Sequence, residues 1–184
     1  VSSDMDIPIK FKLLLFWKNL LNKEVDNLSI EISKEGRGVS SILFFLPEKK
    51  EDAKIANYLV KIQNPLPECK IGLFCSEKSK EFYPDTGNAQ FFTYKDNYLN
   101  YFDTIKSVAL FDQINSSKYD AIVDLNTEFC AASTMLALEL DAPIKIGFDS
   151  TIARRIYTIT IERKKNEFLE SYFSRILGLL GVSL

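Results

Sequence analysis

Short apolar runs that end abruptly in polar residues, spaced by helix-length stretches, constrain this chain more than any other feature. In its second half Ala121-Ile122-Val123-Asp124-Leu125-Asn126 is followed, one helix-length later, by Ile144-Lys145-Ile146-Gly147-Phe148-Asp149. Upstream, 41–46 and 70–75 repeat the pattern, and 90–94 and 155–161 add two further strand-like runs. Unbroken apolar runs of this length suit strands covered on both faces. Between them, 49–63, 101–114, 128–140 and 166–180 have helical lengths and spacings, with a shorter helix near 77–82. Such alternation predicts right-handed βαβ crossovers, hence an α/β fold: a three-layer Rossmann-like sandwich with a mainly parallel sheet.

Organisation follows from the same pattern. Residues 9–22 read as a helix with Phe11, Leu13, Leu14, Leu15, Phe16, Trp17, Leu20 and Leu21 around most of its circumference. Such breadth implies burial against more than one neighbour, or contact of 9–23 with a membrane surface, where a tryptophan flanked by lysines is also at home. A weakly alternating 28–32 reads as an edge strand, and Lys34-Glu35-Gly36-Arg37-Gly38 as an exposed turn. The expected division is an N-terminal helical arm and linker, 1–38, and a Rossmann-like domain, 39–184. In the closing helix Phe168, Tyr172, Ile176 and Leu180 recur every fourth residue, and Gly181 suits the left-handed cap beyond it.

Composition removes several function classes. The chain has 184 residues, enough for one domain with a sizeable core, and a net charge of −2 that gives no field to gather nucleic acid. It has no histidine, which excludes Ser-His-Asp and Cys-His nucleophiles, HExxH zinc sites and imidazole acid–base work. Proton transfer must then fall to a carboxylate, lysine, tyrosine or water. Cys69, Cys75 and Cys130 are odd in number and lack CxxC spacing, so they read as core residues of a protein kept in a reducing, cytoplasmic setting, and no metal site is expected. No apolar stretch reaches the ~20 residues that span a bilayer. Asp4 and Asp6 before the first apolar run, with no small-residue cleavage site after it, do not follow the order of a secretory signal.

Five ordered segments resemble one family. Tyr119 to Asn126, the small-residue helix at 131–140, Lys145 to Asp149, Ile156-Tyr157-Thr158 and the closing 177–182 are similar, in order and spacing, to the first domain of the family-nine glycosyltransferases. These are the heptosyltransferase-like enzymes of lipopolysaccharide assembly. The resemblance is good from about 117 onward and weaker before it. It implies a GT-B type lobe on the acceptor side, with the nucleotide-sugar held by a second half that this length does not accommodate. A donor domain on another chain or segment, and a glycolipid acceptor, are the partners it implies; no cofactor is implied. Work at the inner face of a membrane follows from the same resemblance.

The resemblance also points to site residues. In that family the first strand runs into a glycine-containing loop ending in an aspartate, which serves as base toward the acceptor hydroxyl, and Asp52 falls on that aspartate. Pro47-Glu48-Lys49-Lys50-Glu51 replaces the small loop, and Glu51 brings a side chain and a negative charge to the glycine position. Asp52 therefore has two readings, a general base or an acidic residue favoured in the first turn of a helix. No GxGxxG or GxxxxGK[ST] phosphate cradle follows any predicted strand. Asp124 and Asn126 could hydrogen-bond sugar hydroxyls; alternatively Asn126 or Thr127 caps the next helix, with Glu128 complementing its N-terminus. Asp149 and Arg154 could contact an acceptor phosphate or carboxylate; alternatively Gly147 marks a close packing point and Arg154-Arg155 are solvated.

Two functions from different classes fit these residues. One is sugar transfer to a lipopolysaccharide-type acceptor when a donor domain is supplied. The other is a non-catalytic binding or assembly module that kept the fold and lost the chemistry, since function resides in sites and not in architecture.

Overall fold

β1 (Ser41–Phe45) is buried along its whole length, with Ile42 and Phe44 on one face and Leu43 and Phe45 on the other. A strand that is apolar on both sides needs cover on both sides, and the rest of the fold supplies it. The computed structural model describes residues 7–17, 39–63, 69–84, 86–164 and 167–180. β1 lies at the centre of a sheet with β2 (Lys70–Ser76), β3 (Gln90–Tyr94), β4 (Ala121–Asp124), β5 (Ile144–Phe148) and β6 (Ile159–Ile161), in the order β3-β2-β1-β4-β5-β6. Every neighbouring pair is parallel. This is the doubly wound order of Rossmann-like folds, with helices on both faces.

α2 (Lys50–Gln63) and α6 (Leu169–Leu179) cover one face, closing over Phe44, Leu73, Val123, Ile146 and Phe148. α1 (Ile9–Trp17), α3 (Val108–Asn115), α4 (Ala131–Glu139) and the short α5 (Ala153–Ile156) cover the other, over Leu43, Phe45, Phe74, Phe92 and Ile122. Three layers result, as the strand–helix alternation predicts.

Several element bounds differ from expectation, each for a local reason. The helix predicted over 101–114 begins only at Val108, where the Ser107 hydroxyl accepts the Leu110 N–H at 3.4 Å. Before it, Asn100 Oδ1 accepts from the amides of Phe102 and Thr104 at 2.8 and 3.2 Å, and Asp103 takes φ 60°, so a side chain has captured the amides a helix would use. The strand predicted over 155–161 is divided into α5 and the shorter β6. The helix predicted over 77–82 contracts to a 3₁₀ turn at Lys80–Phe82, and the closing helix starts at Leu169.

α1 shows how its broad apolar surface is used: Phe11 and Leu15 are buried in the core, while Ile9, Leu13 and Phe16 face outward at 77%, 58% and 64% exposure. The expected edge strand at 28–32, the turn at 34–38 with the arm–core boundary, and the Gly181 cap lie outside the described residues. Among the described residues no helix is long and apolar enough to cross a membrane.

Candidate functional site

Strand order reverses between β1 and β4, and ligands of open α/β sheets bind outside the carboxyl ends of the strands at that point. Phe45 pairs with Asp124, so the two strands finish level and their exit loops leave the sheet side by side. A cleft of about 310 Å³ opens there. Pro47, Glu48, Lys49 and Asp52 come to it from β1 and the first turn of α2, residues 126–132 from the β4–α4 loop, Tyr94 from the end of β3, and Pro8, Lys10 and Phe11 from α1.

The β4–α4 loop takes its shape from a set of side-chain bonds. Asn126 is drawn back onto the sheet, its backbone N–H and its Nδ2 donating to Asp124 Oδ1 at 2.9 and 2.8 Å. Thr127 donates its hydroxyl to Asp52 Oδ2 across the cleft, and Lys49 Nζ reaches Glu128 Oε1 at 3.3 Å. With 126–128 committed to these partners, α4 starts later than expected, at Ala131 with Cys130 as its N-cap. Neither Asn126 nor Thr127 caps the helix, which corrects that expectation.

Asp124 is buried at 6% exposure and belongs to an internal network. Tyr157 donates its hydroxyl to Asp124 Oδ2 at 2.6 Å, and Asn126 also reaches Ser133 Oγ at 3.3 Å. Burial raises the Asp124 carboxyl above the ordinary aspartate range, against the opposing pull of the Tyr157 and Asn126 bonds. Burial likewise raises the Tyr157 phenol, and the adjacent Asp124 charge adds to it. Gly147 makes this network fit: a Cβ there would stand 2.6 Å from the Tyr157 ring. The close-packing reading of Gly147 is thus the one the geometry fills.

Asp149 and Arg154 stand apart from the cleft, beyond the end of β5. Arg154 Nε donates to Asp149 Oδ1 at 2.7 Å and Nη2 to Oδ2 at 2.6 Å, a fork-to-fork pair. That pairing holds the Asp149 carboxyl below the ordinary aspartate range. Of the residues singled out in sequence, Asp52 and Asn126 meet at the cleft, Asp124 lies beneath it, and Asp149 and Arg154 bond to each other.

Pro47, Glu48, Lys49, Thr127 and Glu128, singled out in sequence at the two strand ends, also line the cleft, whereas Tyr94 and the α1 wall were not anticipated. Tyr94 donates its hydroxyl to Glu48 Oε1 at 2.5 Å, and burial is the main reason its phenol is raised. Phe129 meets Phe11 edge-on, ring centres 4.8 Å apart, which pins α1 to the β4–α4 loop. Lys10 extends that link by an ion pair to Asp103. The only signal for Tyr94 is a polar tip at the end of a predicted strand; the α1 wall has none, because its partners are remote in sequence. Among the described residues no group of three or more His, Cys, Asp or Glu is arranged to hold a metal ion.

Comparison with known proteins agrees with this architecture. The model of a family of unknown function, DUF6913, matches residues 14–177, and the chain belongs to that family. No curated protein matches it. Among solved structures, the glycosyl transferase family 9 from Veillonella parvula DSM 2008 is similar with a TM-score of 0.54 at 16% identity, over 88% of this chain and 44% of that one. The E. coli heptosyltransferase WaaC with ADP-2-deoxy-2-fluoro heptose is similar with a TM-score of 0.56 at 15% identity, over 76% of this chain and 48% of that one. The chain spans less than half the length of either structure. These likenesses show a Rossmann-like fold similar to that of the two glycosyltransferase structures.

Proposed function

We propose that this chain is the acceptor-side lobe of a sugar-transfer system, in which the β1–β4 cleft holds a hydroxyl-bearing saccharide and Asp52 takes the proton from its attacking hydroxyl. The observation that carries this reading is the place of Asp52: a carboxylate on the first turn after β1, lining a cleft of about 310 Å³ at the switch point of a glycosyltransferase-like sheet. The acceptor oxygen would bond to the anomeric carbon of a nucleotide-sugar as the bond from that carbon to the nucleotide diphosphate breaks, and the released proton would pass to Asp52. Thr127 supports the role by fixing one carboxylate oxygen while the other has no partner among the described residues. A second lobe would hold the donor, which supplies much of the orientation that transfer needs.

A glycolipid acceptor of lipopolysaccharide type belongs to the same proposal, at the cytoplasmic face of a membrane. Ile9, Leu13 and Phe16 turn outward on the helix that walls the cleft, so a lipid carrying the saccharide would meet apolar side chains beside it.

Asp52→Asn is the direct test. With a donor lobe and nucleotide-sugar supplied, the substitution should slow transfer by roughly 10²–10⁴-fold, the usual contribution of a positioned base, and leave saccharide binding within about twofold. Unchanged transfer would remove Asp52 as the base. Saccharide binding with no transfer by the native protein, whatever donor lobe is added, would favour the binding-module function instead.

A further inference from the structure

Six charged side chains line the cleft: Lys10, Lys49, Glu48, Asp52, Asp103 and Glu128. The two lysines are each taken by an acid, Lys10 by Asp103 and Lys49 by Glu128. Glu48 and Asp52 hydrogen-bond to hydroxyls, Tyr94 and Thr127, and neither forms an ion pair among the described residues; Lys78, which feels the Glu48 charge, is itself paired with Asp96. Four carboxylates against two ammonium groups leave two negative charges. The N-termini of α1, α2 and α4, which also face this cleft, return about half a positive charge each, so the balance stays negative.

That balance matters for the ligand. A phosphate or carboxylate placed here would be repelled by Glu48 and Asp52, and both cations that could offset it are engaged. A metal ion does not fit, because the acids are not arranged as a ligand set among the described residues. A protonated amine on a sugar ring does: the carboxylates accept its N–H bonds, and the partly buried Phe129 ring gives it an apolar wall.

We infer that the saccharide bound in this cleft carries a free amino group, and that Glu48, with Asp52 beside it, selects it over neutral and phosphorylated sugars. The inference rests on the acceptor-lobe reading and narrows its substrate class to amino sugars.

The test is calorimetric titration of the whole chain with three probes, methyl glucosaminide, methyl glucoside and glucose 6-phosphate, for the native protein, Glu48→Gln and Asp52→Asn. The amine should bind about fivefold tighter than the neutral glycoside, as for a half-exposed ion pair, and the phosphate more weakly than either. Glu48→Gln, which keeps an acceptor for Tyr94, should reduce the amine preference to less than about twofold while the neutral glycoside binds as before, and Asp52→Asn should reduce it in part. Phosphate binding as tight as that of the neutral glycoside, or an amine preference untouched by both substitutions, overturns the charge assignment and leaves the acceptor-lobe reading standing. Binding of none of the three removes that reading, and the inference with it.

Discussion

Asp124 is the residue at which the site and the stability of the fold are most closely joined. Its raised carboxyl has a sign that can be worked out: the folded chain holds the proton more tightly than the unfolded one. Below about pH 4 both states are protonated; above it the unfolded chain releases its proton first, so this residue's contribution falls as pH rises until the folded carboxyl ionises too. Asp149 and Asp120 act in the opposite direction. Arg154 lowers the first, the Ser40 hydroxyl the second, and their stabilisation is present above about pH 4 and lost as pH falls through their lowered values. Urea unfolding from pH 3 to 8 should therefore show Asp124→Asn losing the decline above about pH 4 while keeping the loss on the acid side; superimposable profiles would contradict the burial argument. Gly147 is tied to the same network. Gly147→Ala forces a methyl into the Tyr157 ring and should cost about 1–3 kcal/mol, read as a fall in melting temperature, whereas an unchanged value would mean that Tyr157 is free to move away.

Elements differ in how far their sequence revealed them. β1, β4 and β5 were legible because a strand buried on both faces must be apolar throughout, and the order of strands and helices then restricts the topology to a few choices. α1 was legible as a helix but not as a wall of the cleft. With apolar residues on every side, its sequence gives no docking face, and its contacts with Phe129 and Asp103 span about a hundred residues. The β4–α4 loop was hidden for a similar reason: Asn126, Thr127 and Glu128 read as capping residues until Asp52 and Lys49, far back in the chain, are brought across from them. At this scale the prediction concerns α1. Phe11 is fully buried, and Phe11→Ala should lower unfolding free energy by about 3 kcal/mol as a large core truncation does. A loss under about 0.5 kcal/mol, the size of an ordinary surface substitution, would show that α1 does not dock.

At the scale of the whole molecule, a doubly wound sheet places one cleft at its switch point and gathers there residues from four separated parts of the chain. The second acidic–basic group, Asp149 paired with Arg154, lies at a neighbouring strand end. The two places are far enough apart in sequence and sheet position for a ligand to be assigned to one of them by its effect on backbone amides. Titrating the isotopically labelled chain with an amino-sugar glycoside and following its amide resonances shows at which of the two places the sugar sits. Binding in the β1–β4 cleft should concentrate the shifts at 47–52, at Tyr94, at 126–132 and in the first turn of α1. Shifts centred on 149–155, with the β1–β4 rim unmoved, would contradict it.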